Sequence, residues 1–229
     1  SSRRLLGVDP LLRDSFSRLA YGARVSLLVA FFATTISIVV GAAVGLTSGY
    51  AEGTRAASVD TFLMRMVDVG LSFPYLLLVM AIGAAVGDTT IVTILMVLGF
   101  TSWFGTARII RAKTIQVRHL DFIMASRALG QSTASILLRH ILPNVAGPLI
   151  VIASASVAQM IIAESVLSYL QVGLPPPTAT WGRMLLEGQR FYTVAPRLVL
   201  APGILIFLAV LGFNLVGEGL RDALDPHED

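Results

Sequence analysis

Residues able to carry covalent or metal chemistry are few and scattered in this 229-residue sequence. It contains no cysteine, which excludes thiolate zinc sites, iron–sulfur ligation and a disulfide framework. Its three histidines, His119, His140 and His227, form no H-x-x-x-H pair that could hold a metal on one helix face. The only lysine, Lys113, follows Ala112, and Ala107 stands where the first glycine of a phosphate-binding G-x-x-x-x-G-K-[ST] loop would be. Ser154 and Ser156 sit in an apolar run with no nearby base, where a hydroxyl ordinarily bonds a backbone carbonyl. The sequence predicts no catalytic residue, no metal ligand and no nucleotide site of its own.

Two polar residues in apolar surroundings remain. Glu164 closes a 24-residue uncharged stretch, so its carboxylate either lines a pathway or gate, or reaches the edge of the apolar layer as a structural group. Asn214 lies inside another such stretch, where an amide bonds a neighbouring helix or meets a passing solute. Glu218 with Arg221 and Asp222 suits an ion pair at a helix end, and Trp103, Phe104 and Trp181 suit anchors at a membrane interface.

The elements that carry these residues are legible in the spacing of charge. Charged residues are 14% of the chain, against about 25% in soluble proteins, and the mean hydropathy is +0.78. Uncharged runs cover 25–51, 69–87, 89–107, 140–163 and 198–217. A helix needs about 20 apolar residues to cross the hydrocarbon core, so these five runs predict five spanning helices in an all-α bundle. A sixth run, 165–182, is interrupted by Pro175, Pro176 and Pro177 and reads as a short helix and an extramembrane loop. Gly87-Asp88-Thr89 is a tight turn between the second and third spans, and Gly41, Gly45 and Gly49 permit a close helix–helix approach. The formal charge of +3 is better matched to a lipid bilayer than to nucleic acid, which is not an expected partner.

Lys and Arg do not settle orientation, since alternate segments carry nine on one side and eight on the other. Six of the 17 lie in 108–140. Within that segment, Asp121 to Gly130 has helical spacing, with Phe122, Ile123, Leu129 and Ala125 or Ala128 on one face and Asp121 and Arg127 outward. A second amphipathic stretch runs from Ser135 to Leu142 and meets Pro143. The pattern alone fits a helix lying on lipid or one docked in a partner's groove.

Several blocks carry a resemblance. Ala125-Ser126-Arg127-Ala128-Leu129-Gly130, followed by His140-Ile141-Leu142-Pro143-Asn144, resembles the E-A-A-x-x-x-G loop of ABC-importer permeases, in its dipeptide/oligopeptide/nickel branch. Gly7-Val8-Asp9, Arg13-Asp14 and Tyr21 to Leu27 resemble that branch's opening block, and Asp68 to Pro74 its D-x-x-x-S-F-P. Ala163-Glu164-Ser165, Pro176-Pro177 and Trp181-Gly182 resemble its A-E, P-P and W-G blocks, and Asn214 to Asp222 with Leu224-Asp225-Pro226 its closing block. The order is the same throughout, and the two ends resemble the C-type of the branch's two permeases. Met124 departs from the usual glutamate and Ser126 from an alanine; Val8, Leu12, Gln171 and His227 depart elsewhere.

The resemblance implies a type I importer permease of a bacterial or archaeal plasma membrane, with peptides as cargo and nickel chelates or other small solutes as the alternative. A homologous second permease, two cytoplasmic ATPases holding ATP and magnesium, and an external substrate-binding protein would be its partners. It also implies a first span ahead of this sequence, residues 1–24 outside, 25–229 as the permease domain, an external loop 165–197, and 108–140 as a cytoplasmic loop. There Asp121, Met124, Ala125, Ser126, Arg127, Ala128, Leu129 and Gly130, with His140, Pro143 and Asn144, would couple the spans to the ATPases. Met124 would make that docking rest on apolar fit. The rival readings are an intramembrane enzyme, whose residue sets are not seen, and a non-ABC carrier or scaffold.

Overall fold

The computed structural model describes residues 6–87 and 89–224. Expectations falling on Asp88, Asp225, Pro226 and His227 lie outside the described residues. Helices dominate: α1 (Ser15–Ala51), α2 (Ala57–Ser72), α3 (Tyr75–Val86), α4 (Ile91–Val117), α5 (Asp121–Ala128), α6 (Thr133–Ile136), α7 (Leu142–Tyr169), α8 (Trp181–Gly188) and α9 (Arg197–Leu224). Among the described residues the only extended pairing is a bridge between Val8 and Asp14.

Among the described residues four helical runs are long and apolar enough to cross a membrane: Ser15–Ala51, Ile91–Val117, Thr133–Tyr169 and Arg197–Leu224. α2 and α3 make a fifth only if counted together, because they meet at 94°. The single spanning helix predicted over 69–87 is therefore corrected to a pair of helices broken at a corner. Pro74 disfavours helical geometry at Phe73, which is extended at φ −90° and ψ 139°. Two helices also outrun their uncharged stretches, since α1 begins at Ser15 and α4 continues through Arg108, Arg111 and Lys113. Asp14 caps α1 by accepting from the Ser17 amide at 2.8 Å.

Pro143 does not end the second amphipathic stretch, as its pattern suggested. Helix continues from Thr133 to Tyr169, with one wider π turn at Leu137–Ile141 just before the proline. The wider turn interrupts the regular hydrogen-bond ladder just before the residue that has no N–H to give it. Asn144 Nδ2 donates to the His140 carbonyl at 2.7 Å across this irregular turn.

The chain divides into two compact units. Unit 1 is Ser1–Thr34, Leu76–Leu98 and Ala155–Leu215; unit 2 is Thr35–Tyr75, Gly99–Ser154 and Val216–Asp229. The core of unit 2 gathers Ala42 and Leu46 of α1, Ile110 of α4, Ile123 of α5, and Ile136, Ile141, Val145 and Leu149. Its α1–α4 seam follows the predicted glycines. A Cβ on Gly41 would meet the Trp103 carbonyl at 2.9 Å, one on Gly45 the Ala107 carbonyl at 2.6 Å, and one on Gly49 the Arg111 carbonyl at 2.7 Å. Backbone meets backbone there, as small-xxx-small spacing allows.

Trp103 and Trp181 are 8% and 2% exposed, so the expected interface anchors are core residues. Trp103 packs with Val67 and Ala107, the Phe104 ring sits against Gly70, and the Trp181 indole donates to the Leu19 carbonyl at 3.2 Å. Residue type suggested an interface, but a bundle interior offers the same apolar surroundings with a carbonyl for the indole N–H.

Candidate functional site

In unit 2, α5 is fixed by one side chain. Ile123 is fully buried in the core, while Phe122, Met124 and Leu129 are 45%, 50% and 82% exposed. The single apolar face predicted for Phe122, Ile123 and Leu129 is thus corrected to two, with Ile123 turned to the core and the other two exposed. An eight-residue helix turns 100° per residue, and its seat on unit 2 accepts only Ile123. The exposed side is apolar, with Ala125 and Ala128 beside those three, Asp121 in the first turn and Arg127 in the last. That placement of charge suits the helix dipole.

Gly130 stops the helix by conformation rather than by close contact. Its φ is +75°, its N–H donates to Arg127 at 3.0 Å, and the Gln131 N–H reaches back to Ser126 at 3.2 Å. This is a Schellman closure, whose left-handed residue favours glycine. No atom lies within 4 Å of a Cβ built there, so the requirement comes from φ alone. Ser126 Oγ bonds the Phe122 carbonyl at 2.8 Å. His140 faces Gln131 Oε1 at 3.0 Å and the Phe122 ring edge-on at 6.4 Å. The structure thereby brings Phe122, Gln131, His140 and Asn144 together at one end of unit 2.

Side chains that the sequence did not single out hold this end. Arg118, three residues before α5, is 9% exposed in its side chain. Its Nη1 donates to the Gly49 and Tyr50 carbonyls at 3.2 and 3.0 Å and to the Glu52 carbonyl, and its Nη2 meets Glu52 Oε2 at 2.9 Å. Arg127 lies 5.1 Å over the Tyr50 ring. Nearby, Asp60 takes a two-pronged grip from Arg111, at 2.6 and 2.7 Å, and accepts from Ser48. Arg108 pairs with Asp68 at 2.6 Å, both about half exposed. Treating charges only as boundaries between spans concealed these partners.

Unit 1 has its own polar centre. Glu164 is fully buried, its carboxylate enclosed by protein. Ser26 Oγ and Ser168 Oγ donate to its two oxygens at 2.9 and 2.7 Å, and the Trp181 amide donates to Ser26 Oγ at 3.3 Å. Outside the spans, Asp9 and Glu187 share the guanidinium of Arg18 at 2.8 and 2.6 Å, and Arg13 bridges the same two carboxylates at 2.6 and 2.7 Å. Burial pushes Asp9 upward, but the Arg13 amide and guanidinium hold it below the ordinary carboxylate value. Burial likewise opposes ionisation of Glu187, and Arg18, Arg13 and Arg183 outweigh it. A cavity of about 390 Å³ adjoins this cluster, lined by Leu11, Arg13, Arg183, Glu187, Arg190 and Phe191 among others. The Gly7-Val8-Asp9 and Arg13-Asp14 blocks were the available signal; Glu187 had none.

Asn214 is exposed on α9, with no bond to another helix among the described residues. Glu218, Arg221 and Asp222 are exposed too, and the expected ion pair among them is not formed. One turn of helix brings these side chains close, yet nothing excludes water or fixes their rotamers.

Residues 37–228 match the family described as binding-protein-dependent transport system inner membrane component. The dipeptide transport system permease protein DppC of Alkalihalophilus pseudofirmus is 39% identical over 226 residues, which are 99% of this chain and 73% of that protein. The glutathione transport system permease protein GsiD of Escherichia coli is 40% identical over the same length and shares. In fold, the chain is similar to the MetNI methionine ABC transporter in its inward-facing conformations, at a TM-score of 0.73 and 17% identity over 92% of this chain and 97% of that one.

Proposed function

This chain belongs to the binding-protein-dependent transport system inner membrane components, a multi-pass membrane family, and from that membership we propose that it is a permease subunit of an ATP-driven importer of peptides. Dipeptide and glutathione relatives support a peptide-sized cargo. In this reading a second permease completes the path, an external binding protein delivers the solute, and two ATPases hold ATP and magnesium on the cytoplasmic side of a bacterial or archaeal plasma membrane. The chain itself carries no nucleotide site. Segment 108–140 faces the cytoplasm, while residues 1–24 and 165–197 face outward.

The observation that carries the reading is α5. It presents exposed Phe122, Met124 and Leu129 away from the bundle while Ile123 fastens it to the core. A short helix seated by one face and apolar on the other suits insertion into a groove of an ATPase. Met124 supplies apolar contact there in place of a carboxylate. Glu164 acts from inside unit 1, setting the geometry beside any path, whereas Asn214 is open to a partner helix or a solute.

The test is purification of the tagged chain from its native membrane. Two ATPase subunits should accompany it, and their consistent absence would overturn the reading. Replacing Gly130 by valine should then leave insertion intact and disconnect ATP hydrolysis from uptake, because valine strongly disfavours φ near +75°.

A further inference from the structure

On the permease reading just given, force from the ATPases enters through α5, and the described residues show what α5 grips. Three residues separate α4 from α5, and Arg118 is the first of them. Its guanidinium caps the last turn of α1, where helix carbonyls lack an internal donor. The other end of α5 carries Arg127, stacked on Tyr50 of that same turn. α5 is thus held at both ends to the four residues Gly49 to Glu52, and Ile123 is buried between the two grips.

What lies behind each contact differs. α1 is a single helix of 37 residues with no internal proline, and its Gly41, Gly45 and Gly49 lock it to α4 backbone to backbone. The run that follows α5 contains a π turn and then Pro148, and α2 meets α3 at a 94° corner. Irregular turns and internal prolines are where helices bend. The pair that is locked and free of internal proline is α1 with α4.

We infer that Arg118 and the Tyr50–Arg127 pair are positioning residues that make α5 and the Ala51 end of α1 move as one body, so that α1 with α4 is the lever the ATPases drive. Neither arginine touches solute. Arg118 acts through the carbonyls of α1, and its fork is what a lysine would lack.

This sequence contains no cysteine, so spin labels can be placed in it by substitution once cysteines elsewhere in the assembly are replaced. Labels at Arg55→Cys and Leu120→Cys, both exposed and outside the coupling residues, report the gap between the α1 end and the start of α5 in the assembled importer. The wild type should give one narrow distance, unchanged between the nucleotide-free complex and the complex trapped with magnesium, ATP and vanadate. Arg118→Gln should lose that single distance in the trapped state while ATP turnover persists, and Arg118→Lys should restore it in part. Should Arg118→Gln fail to assemble, Tyr50→Leu keeps apolar bulk and removes only the stacked ring, and it should broaden the trapped-state distance too. A wild-type gap that changes on trapping would overturn the inference, as would assembled variants that stay as narrow as wild type. If the wild-type chain recruits no ATPases, it is the permease reading that fails.

Discussion

α1 is held in two different ways along its length. In unit 2 it meets α4 through missing side chains: Gly41, Gly45 and Gly49 bring main chain against main chain, and Asp60 with Arg111 and Ser48 fixes the neighbouring α2. In unit 1 it is tied by side chains that are present. Ser26 donates to Glu164, the Trp181 amide donates to Ser26, and the Trp181 indole donates to Leu19. Unit 1 has a steric contact as well, since a Cβ on Gly182 would overlap the Ser165 carbonyl. A steric seam is indifferent to charge and intolerant of volume. A polar junction tolerates volume better and depends on every donor finding its acceptor.

Substitutions that exploit this difference should separate the units, beginning with the costliest. Asp60→Ala strands the Arg111 guanidinium in a mostly buried site, and we expect a loss of about 3–5 kcal/mol in detergent unfolding. A loss no greater than that of Glu164→Gln would erase the contrast. Gly45→Val should cost about 1–3 kcal/mol through overpacking, whereas Gly105→Ala, with no atom within 4 Å of the new Cβ, should cost far less. Equal effects would mean that the seam is not steric. Glu164→Gln keeps the shape and exchanges one acceptor for an amide that must find its own partner. A loss of about 1–2 kcal/mol is expected, seen as a lower unfolding midpoint.

Acid should act on the Asp9–Glu187 cluster of unit 1. Both carboxyls are held below their ordinary values when folded, so the unfolded chain binds protons first as pH falls. Their stabilisation is complete above the ordinary carboxylate range and disappears as pH drops through the lower folded values. Unfolding midpoints between pH 7 and pH 3, with and without Arg18→Gln, measure it: the variant should show a shallower decline at the acid end. The smallest effect belongs to Arg108→Gln. Its partner Asp68 is as exposed as Arg108 itself, and less than about 1 kcal/mol should be lost.

Features set by spacing were readable in advance. Gly41, Gly45 and Gly49 fall four apart, and four residues return a helix to nearly the same face, so their seam followed from arithmetic. The uncharged runs located the long helices, and the family-like block located α5 and its glycine stop. Features made by distant residues were not readable. Asp60 and Arg111 are 51 positions apart, in two different segments between spans, and no spacing rule links them. Phe73-Pro74 lay inside an uncharged run whose length was measured but whose backbone was not. Ile123 and Phe122 are both apolar neighbours on α5, and only the shape of the core distinguishes the one it admits.

The corner at Phe73-Pro74 has a consequence for the lipid around it. α2 has 16 residues and α3 has 12, so the arms are about 24 and 18 Å long at 1.5 Å per residue. Joined at 94°, both cannot stand along the bilayer normal, and either one alone falls short of a hydrocarbon layer about 30 Å thick. Where lipid rather than a partner helix borders this corner, it thins to meet the shorter arm, and acyl-chain length becomes a load on the protein, heavier in thick membranes and lighter in thin ones.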